Sequence, residues 1–337
     1  MSPRLKNILK FLLFFCVGLG LVYLSIRGIT SEERLNIENA FKQANYFWLA
    51  LSLVVGIFSH FLRAVRWRML IEPIDRKPRL NNTFFAVVIG YMANYAINRI
   101  GEVSRCGVLA RYEKMSFTEL FGTVIVERVI DVLMLILFFI ATLILESKKA
   151  FEMMNEVDLG GKFNNWVHSH LIIVSGLLVI LSIGIVIILK SKSKVLALVK
   201  KYVQSFWLGI KSVGKVKQPL LFWVYSIVIW LCYLTATYLC FFCFEGTSQL
   251  TVGDSLVILI VGAVAVIITP GGTGAYQLLI GNVLVALYPA LHLRENGLSV
   301  ALPWLIWGSQ LVLIVFLGLV SLILLPIVNN TEPHEKT

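Results

Sequence analysis

Two stretches of this chain, Leu171 to Leu189 and Pro219 to Phe244, contain no Asp, Glu, Lys or Arg. As a helix, each is long enough to cross a hydrocarbon layer of about 30 Å, where backbone polar groups must be bonded within the segment. The fold class is therefore an all-α polytopic membrane protein. Composition agrees: 58% of the 337 residues are hydrophobic and 15% are charged, more apolar than a soluble core of this size requires. The run Phe11 to Ile26, preceded by Arg4, Lys6 and Lys10, lacks a small-x-small cleavage site and reads as an uncleaved first span.

A net charge of +11 raises the question of nucleic acid, but the basic residues concentrate in loops between apolar runs and report topology instead. Arg63, Arg66, Arg68, Arg76, Lys77 and Arg79 follow the second apolar run, and lysines from Lys190 to Lys217 follow the fifth. The positive-inside rule places both loops in the cytoplasm. Glu146 to His170, richer in acids, belongs outside, and both termini are expected in the cytoplasm.

This orientation requires Asn81 to Met115 to begin and end on the cytoplasmic side. Its first arm, Thr83 to Ile97, reaches only about 22 Å as a helix, so a re-entrant hairpin is predicted. Ser255 to Leu293 is interrupted by Thr269-Pro270-Gly271-Gly272-Thr273-Gly274, residues that end a helix, and reads as a second hairpin entering from outside. The expectation is about six full spans plus two hairpins in one domain over 1–330, with a short cytoplasmic tail over 331–337. Units 46–145 and 219–328 have opposite orientation, the pattern of an inverted-repeat transporter. No residue-level self-similarity accompanies it.

Glu127, Arg128 and Asp131 lie inside the apolar run Phe117 to Leu145 and share one broad helical face. An ionisable side chain near the bilayer centre costs roughly 2.5–3.5 kcal/mol on insertion scales, so these three face protein, water or a polar substrate. Arg128 can pair with Asp131 as a structural brace, or meet an anionic headgroup while the two carboxylates balance its charge or carry protons. Arg99, Glu102 and Arg105 recur every three residues after the first hairpin's expected tip at Asn94 to Asn98. A guanidinium fork suits phosphate, though arginines that snorkel to headgroups show the same pattern. Backbone N–H groups after the glycine turn offer a third anion contact, and a plain helix break looks similar. The candidate substrate residues are Arg99, Glu102, Arg105, Glu127, Arg128, Asp131, Thr269, Gly271, Gly272, Gly274 and Gln277.

Other patterns carry less. Gly209 to Lys215 mimics a phosphate-binding loop, but Val216 stands where Ser or Thr would hold Mg²⁺ and no strand precedes it. Cys240 and Cys243 form a lone C-x-x-C inside an apolar span, and His168 and His170 flank one residue in an outer loop. Neither cofactor nor metal is expected.

Four motifs in order, Arg63-Ala64-Val65-Arg66-Trp67, Asn98 to Arg105, Glu127-Arg128-Val129-Ile130-Asp131 and Thr269 to Gly274, resemble the flippase-like family related to the membrane region of lysylphosphatidylglycerol synthase. The resemblance covers nearly the whole chain. It implies a multi-pass bacterial membrane domain with two re-entrant elements and a polar cavity, associated with moving a lipid between leaflets. Two positions depart from the family pattern: Asn98 stands where Pro is frequent, and Gln277 where many members carry Glu. Only Asn329 to Thr337 follow the last span, so the synthase's soluble aminoacyl-transfer domain is not expected and the chain reads as a transporter, not an enzyme. The expected partners are membrane lipids with anionic headgroups, in the bacterial cytoplasmic membrane. Alternative readings are a membrane-embedded transferase acting on a lipid-linked substrate, and a scaffold recruiting partners through Lys190 to Lys217.

Overall fold

A computed structural model describes residues 29–74, 77–96, 99–146 and 216–330, together with positions 20, 22, 23, 27 and 214. The expected span Phe11 to Ile26, apart from positions 20, 22 and 23, the expected span Leu171 to Leu189, the loop holding His168 and His170, the segment from Lys190 to Gly209, and the tail 331–337 lie outside the described residues. Among the described residues, regular structure is entirely helical.

Helix α1 (Ser31–Gln43) was not anticipated, yet its signal is local. The Thr30 hydroxyl accepts from the Glu33 N–H at 3.1 Å while the Glu33 carboxylate accepts from the Thr30 N–H at 2.8 Å. This reciprocal box satisfies two donors that a helix start otherwise leaves unbonded. Helix α2 (Tyr46–Ile71) begins on an Asn45 side-chain cap and runs to the Glu72-Pro73 stop. Helices α3 (Leu80–Ala96) and α4 (Ile100–Glu113) form a short pair, followed by α5 (Phe117–Leu145). Helix α6 (Pro219–Phe241) carries Pro in its first turn, where its missing N–H is harmless. A second capping box, Thr251 with Asp254, starts α7 (Val252–Ile268). A broken turn then leads to α8 (Ala275–Leu287), and α9 (Leu298–Asn330) closes the chain.

Four helices, α2, α5, α6 and α9, are long and apolar enough to cross a membrane, and α7 and α8 are shorter apolar helices. The protein is thus a multi-pass membrane protein. Helix α5 shows how it meets lipid: Val126, Ile130, Met134 and Phe138 are buried on one face, while Val132, Leu133, Ile136, Leu137 and Ile140 are exposed on the other. Both faces are apolar because both surroundings are. Near the α2 terminus, the Lys217 ammonium, 2.9 Å away, holds the Glu72 carboxyl below its usual range and ties α2 to the entry of α6.

The pairing of helices follows a pattern. Helix α2 packs most extensively on α6. Each contact among α2 to α5 has a counterpart among α6 to α9: α2 with α3 and α6 with α7, α3 with α4 and α7 with α8, α4 with α5 and α8 with α9. The cross contacts match as well, since α3 packs on α9 as α7 packs on α5. At one end Asn82 and Asn329 exchange amide hydrogen bonds of 2.9 and 3.0 Å, and Asn82 also donates to Glu113 at 2.6 Å, joining α3, α4 and α9.

Helices α3 and α4 approach closely at two glycines. A Cβ on Gly90 would lie 2.8 Å from the Gly101 carbonyl oxygen, and one on Gly101 would collide with the Gly90 carbonyl and Asn94. Asn94 Oδ1 accepts from the Gly101 N–H at 2.7 Å, so the side chain that crowds Gly101 also caps the start of α4. Gly101→Val should force the pair apart and destabilise the protein by about 1–3 kcal/mol, seen as a lower unfolding temperature in detergent; an unchanged melt would show that the pair separates without penalty.

Candidate functional site

The charged residues of α5 do not stand alone. Arg63 and Arg66, expected in a cytoplasmic loop, lie inside α2 and are buried at 4% and 0% exposure. The expectation failed because no helix breaker intervenes before Pro73, so the helix continues past its first arginine. Their spacing of three residues aims both at α5. Arg66 reaches Asp131 at 2.7 Å and Glu127 at 3.3 Å; Arg63 pairs with Asp131 and reaches Glu127 at 3.4 Å.

Helix α4 supplies the remaining partners. Arg105 meets Glu127 Oε2 at 2.9 Å, and Glu102 meets Arg128 at 3.1 Å. Arg128 and Asp131 pair within α5, as their spacing predicted, but only at 3.7 Å. Asp131 is held mainly by α2. The site thus joins four guanidinium groups to three carboxylates and carries one positive charge in excess.

Aromatic rings line the cluster. Arg105 lies over the Trp67 ring at 4.7 Å and Arg63 over the Tyr91 ring at 5.6 Å, placing the guanidinium cations on electron-rich faces. Trp67 is itself fixed by donating to Thr123 at 2.8 Å, and Arg66 donates to Ser226 on α6 at 3.3 Å. Trp67 was named only within the Arg63 to Trp67 motif and not as a site residue, and Tyr91 and Ser226 were not singled out. The Arg-x-x-Arg-Trp string was the available signal for the first, while Tyr91 and Ser226 have none outside the fold.

Burial grades the members. Glu127 and Arg66 are fully buried, whereas the side chain of Arg128 is 40% exposed and that of Glu102 17%. Donors also remain unused: Nε and Nη2 of Arg105 and Nε of Arg128 are buried without a hydrogen-bond partner. The arrangement can neutralise an anion at its Arg128 edge while its interior stays paired.

Arg99 is not drawn in. It is exposed at the N-cap of α4 with φ 64°, and forms no ion pair with any described residue. Asn98 lies outside the described residues.

The glycine turn lies elsewhere on the same scaffold. Gly271, Gly272 and Gly274 adopt φ of 61°, 77° and 75°, the left-handed region where a side chain is strained, which is why this break needs glycine. Trp307 donates to the Gly271 carbonyl at 2.8 Å, and a Cβ on Gly271 would collide with the Tyr95 ring. The end of α3 therefore touches the turn between α7 and α8. Tyr91, beside Arg63, and Tyr95, on the turn, are one helical turn apart. Thr269 is buried with its hydroxyl oxygen unpartnered, and Gln277, in the first turn of α8, is 3% exposed with neither amide atom bonded.

The model of the family described as the lysylphosphatidylglycerol synthase TM region matches residues 7–302. The chain belongs to that family. All four motifs fall within the matched residues, and the structure gives three of them one shared network. No curated protein and no solved structure matches the chain.

Loss of one partner from this family member's ion cluster should be severe, because it leaves buried charge uncompensated. Arg66→Met should destabilise the protein by about 3 kcal/mol, read as a lower unfolding temperature in detergent. Arg128→Met, at the exposed edge, should cost less than about 1 kcal/mol. Equal losses would contradict the division into buried brace and accessible edge.

Proposed function

We propose that this protein moves an anionic phospholipid, or a lipid-phosphate-linked molecule, between the leaflets of the bacterial cytoplasmic membrane. The observation that carries this reading is a cluster with excess positive charge and unused guanidinium donors inside an apolar bundle. Brace and binding site need different things. A brace is best served by balanced charge and satisfied donors, whereas this cluster carries an excess positive charge and exposes part of the Arg128 side chain, where a phosphate can approach.

The helix pairing supports a transporter architecture. We read α2 to α5 and α6 to α9 as inverted repeats, since every contact within and between them recurs under exchange of the units. On this reading α3 with α4, and α7 with α8, are re-entrant hairpins whose tips meet at Tyr95 and Gly271. On this reading the described helices α2, α5, α6 and α9 are full spans. Transport without group transfer is the activity proposed; the headgroup passes the cluster while acyl chains remain in lipid.

The test is a vesicle assay of the purified chain with fluorescently labelled phosphatidylglycerol and a membrane-impermeant quencher. Wild type should expose inner-leaflet label, and Arg128→Ala should slow this by about tenfold, the equivalent of one charge-assisted contact, with an unchanged melting temperature. Loss of folded protein in Arg128→Ala would return the residue to a structural role, and wild-type vesicles no faster than empty ones would remove the transport reading.

A further inference from the structure

A second polar site lies apart from the ion cluster and shares no residue with it. A cavity of about 440 Å³ opens between α1, α8 and the start of α9, within the size range of small-molecule sites. Arg27, Glu33, Arg294, Gln277, Ser299 and Trp304 line it.

Gln277 is the informative wall. It is 3% exposed, yet neither Oε1 nor Nε2 has a hydrogen-bond partner. A buried amide is normally satisfied, so this one is placed for a partner the chain does not supply. An amide both donates and accepts, which suits a hydroxyl group better than a bare charge. Arg27 and Arg294 add positive charge. Arg294 is 72% exposed and approaches Glu33 only to 3.7 Å, which leaves its fork free to turn toward a phosphate.

The charge balance excludes the opposite class. Among the described lining residues Glu33 is the sole carboxylate, and its Oε2 already accepts from the Thr30 N–H at 2.8 Å while its Oε1 faces Arg294. An ammonium headgroup would meet two guanidiniums and no free counter-ion. Trp304 offers a flat ring against which the carbon face of a polyol or sugar can lie.

We propose that this cavity binds a phosphodiester headgroup ending in an uncharged polyol or sugar, with Gln277 reading the hydroxyl groups and Arg294 the phosphate. The assignment rests on the lipid-transport reading only for the acyl chains that would accompany the headgroup.

The test is isothermal titration of the purified full-length protein with short-chain lipids below their micelle concentration. Dihexanoylphosphatidylglycerol should bind about tenfold more tightly than dihexanoylphosphatidic acid, which lacks the hydroxyls, or dihexanoylphosphatidylcholine, which carries an ammonium. Gln277→Leu should erase the preference for the glycerol headgroup over bare phosphate while leaving the melting temperature unchanged or higher, because it removes an unbonded amide. Gln277→Glu should shift preference toward phosphatidylcholine. Arg294→Gln should weaken all phosphate lipids alike.

Equal affinity for phosphatidylglycerol and phosphatidic acid, or a preference that survives Gln277→Leu, would overturn the proposal. Glycerophosphoglycerol without acyl chains binding as tightly as the lipid would make the ligand a soluble phosphodiester and overturn the lipid source. Arg128→Ala should keep the headgroup preference while slowing transport by about tenfold. Wild-type vesicles that fail to transport, beside intact Gln277-dependent binding, would remove the transport reading and leave this site standing.

Discussion

Seven ionised side chains share a bundle whose outer faces are apolar, and much of the architecture follows from the need to pair them. A buried carboxylate or guanidinium is costly unless it meets an opposite charge with good geometry. Glu127 meets three arginines and Asp131 three, so α2, α4 and α5 are held in one register by charge as well as by packing. The short helix α4 is part of that solution. By starting at Ile100, within the fold, it delivers Arg105 to Glu127, and the abrupt start is made by Arg99 in a left-handed conformation and by Gly101 against Gly90.

Membrane character, the α5 charge cluster and the glycine break after α7 were legible in the sequence because each rests on a local signal. Uncharged runs, charges in an apolar window and a Pro-Gly-Gly turn need no tertiary information. The role of Arg63 and Arg66 was misread for a physical reason: arginines at the end of an apolar run look the same whether they snorkel to headgroups or turn inward to a carboxylate sixty residues away. Only the partner distinguishes them. The same limit applies to Arg99, whose three-residue rhythm with Glu102 and Arg105 presumed a continuous helix, whereas the helix begins one residue later. Helix α1 was recoverable, since Thr30 and Glu33 form a capping box with ordinary spacing.

Gln277 shows a different kind of limit. In sequence it is one amide in an apolar helix. In the fold it is a buried amide without a partner, in the wall of a cavity that Arg27 and Arg294 also line. An acid there would add negative charge to the cavity wall and disfavour anions; an amide adds no charge.

The unequal burial of the ion cluster also bears on how such a protein could move. Breaking the pairs of Arg66 or Glu127 would expose full charges to an apolar interior, so a motion that preserves them carries α2, α4 and α5 together as one body. Fewer bonds hold the pieces around that body. The turn after α7 is held by the Trp307 indole and the Tyr95 ring. Helix α3 links both regions, with Tyr91 against Arg63 and Tyr95 against Gly271. A displacement of α3 is therefore felt at the ion cluster and at the glycine turn at once.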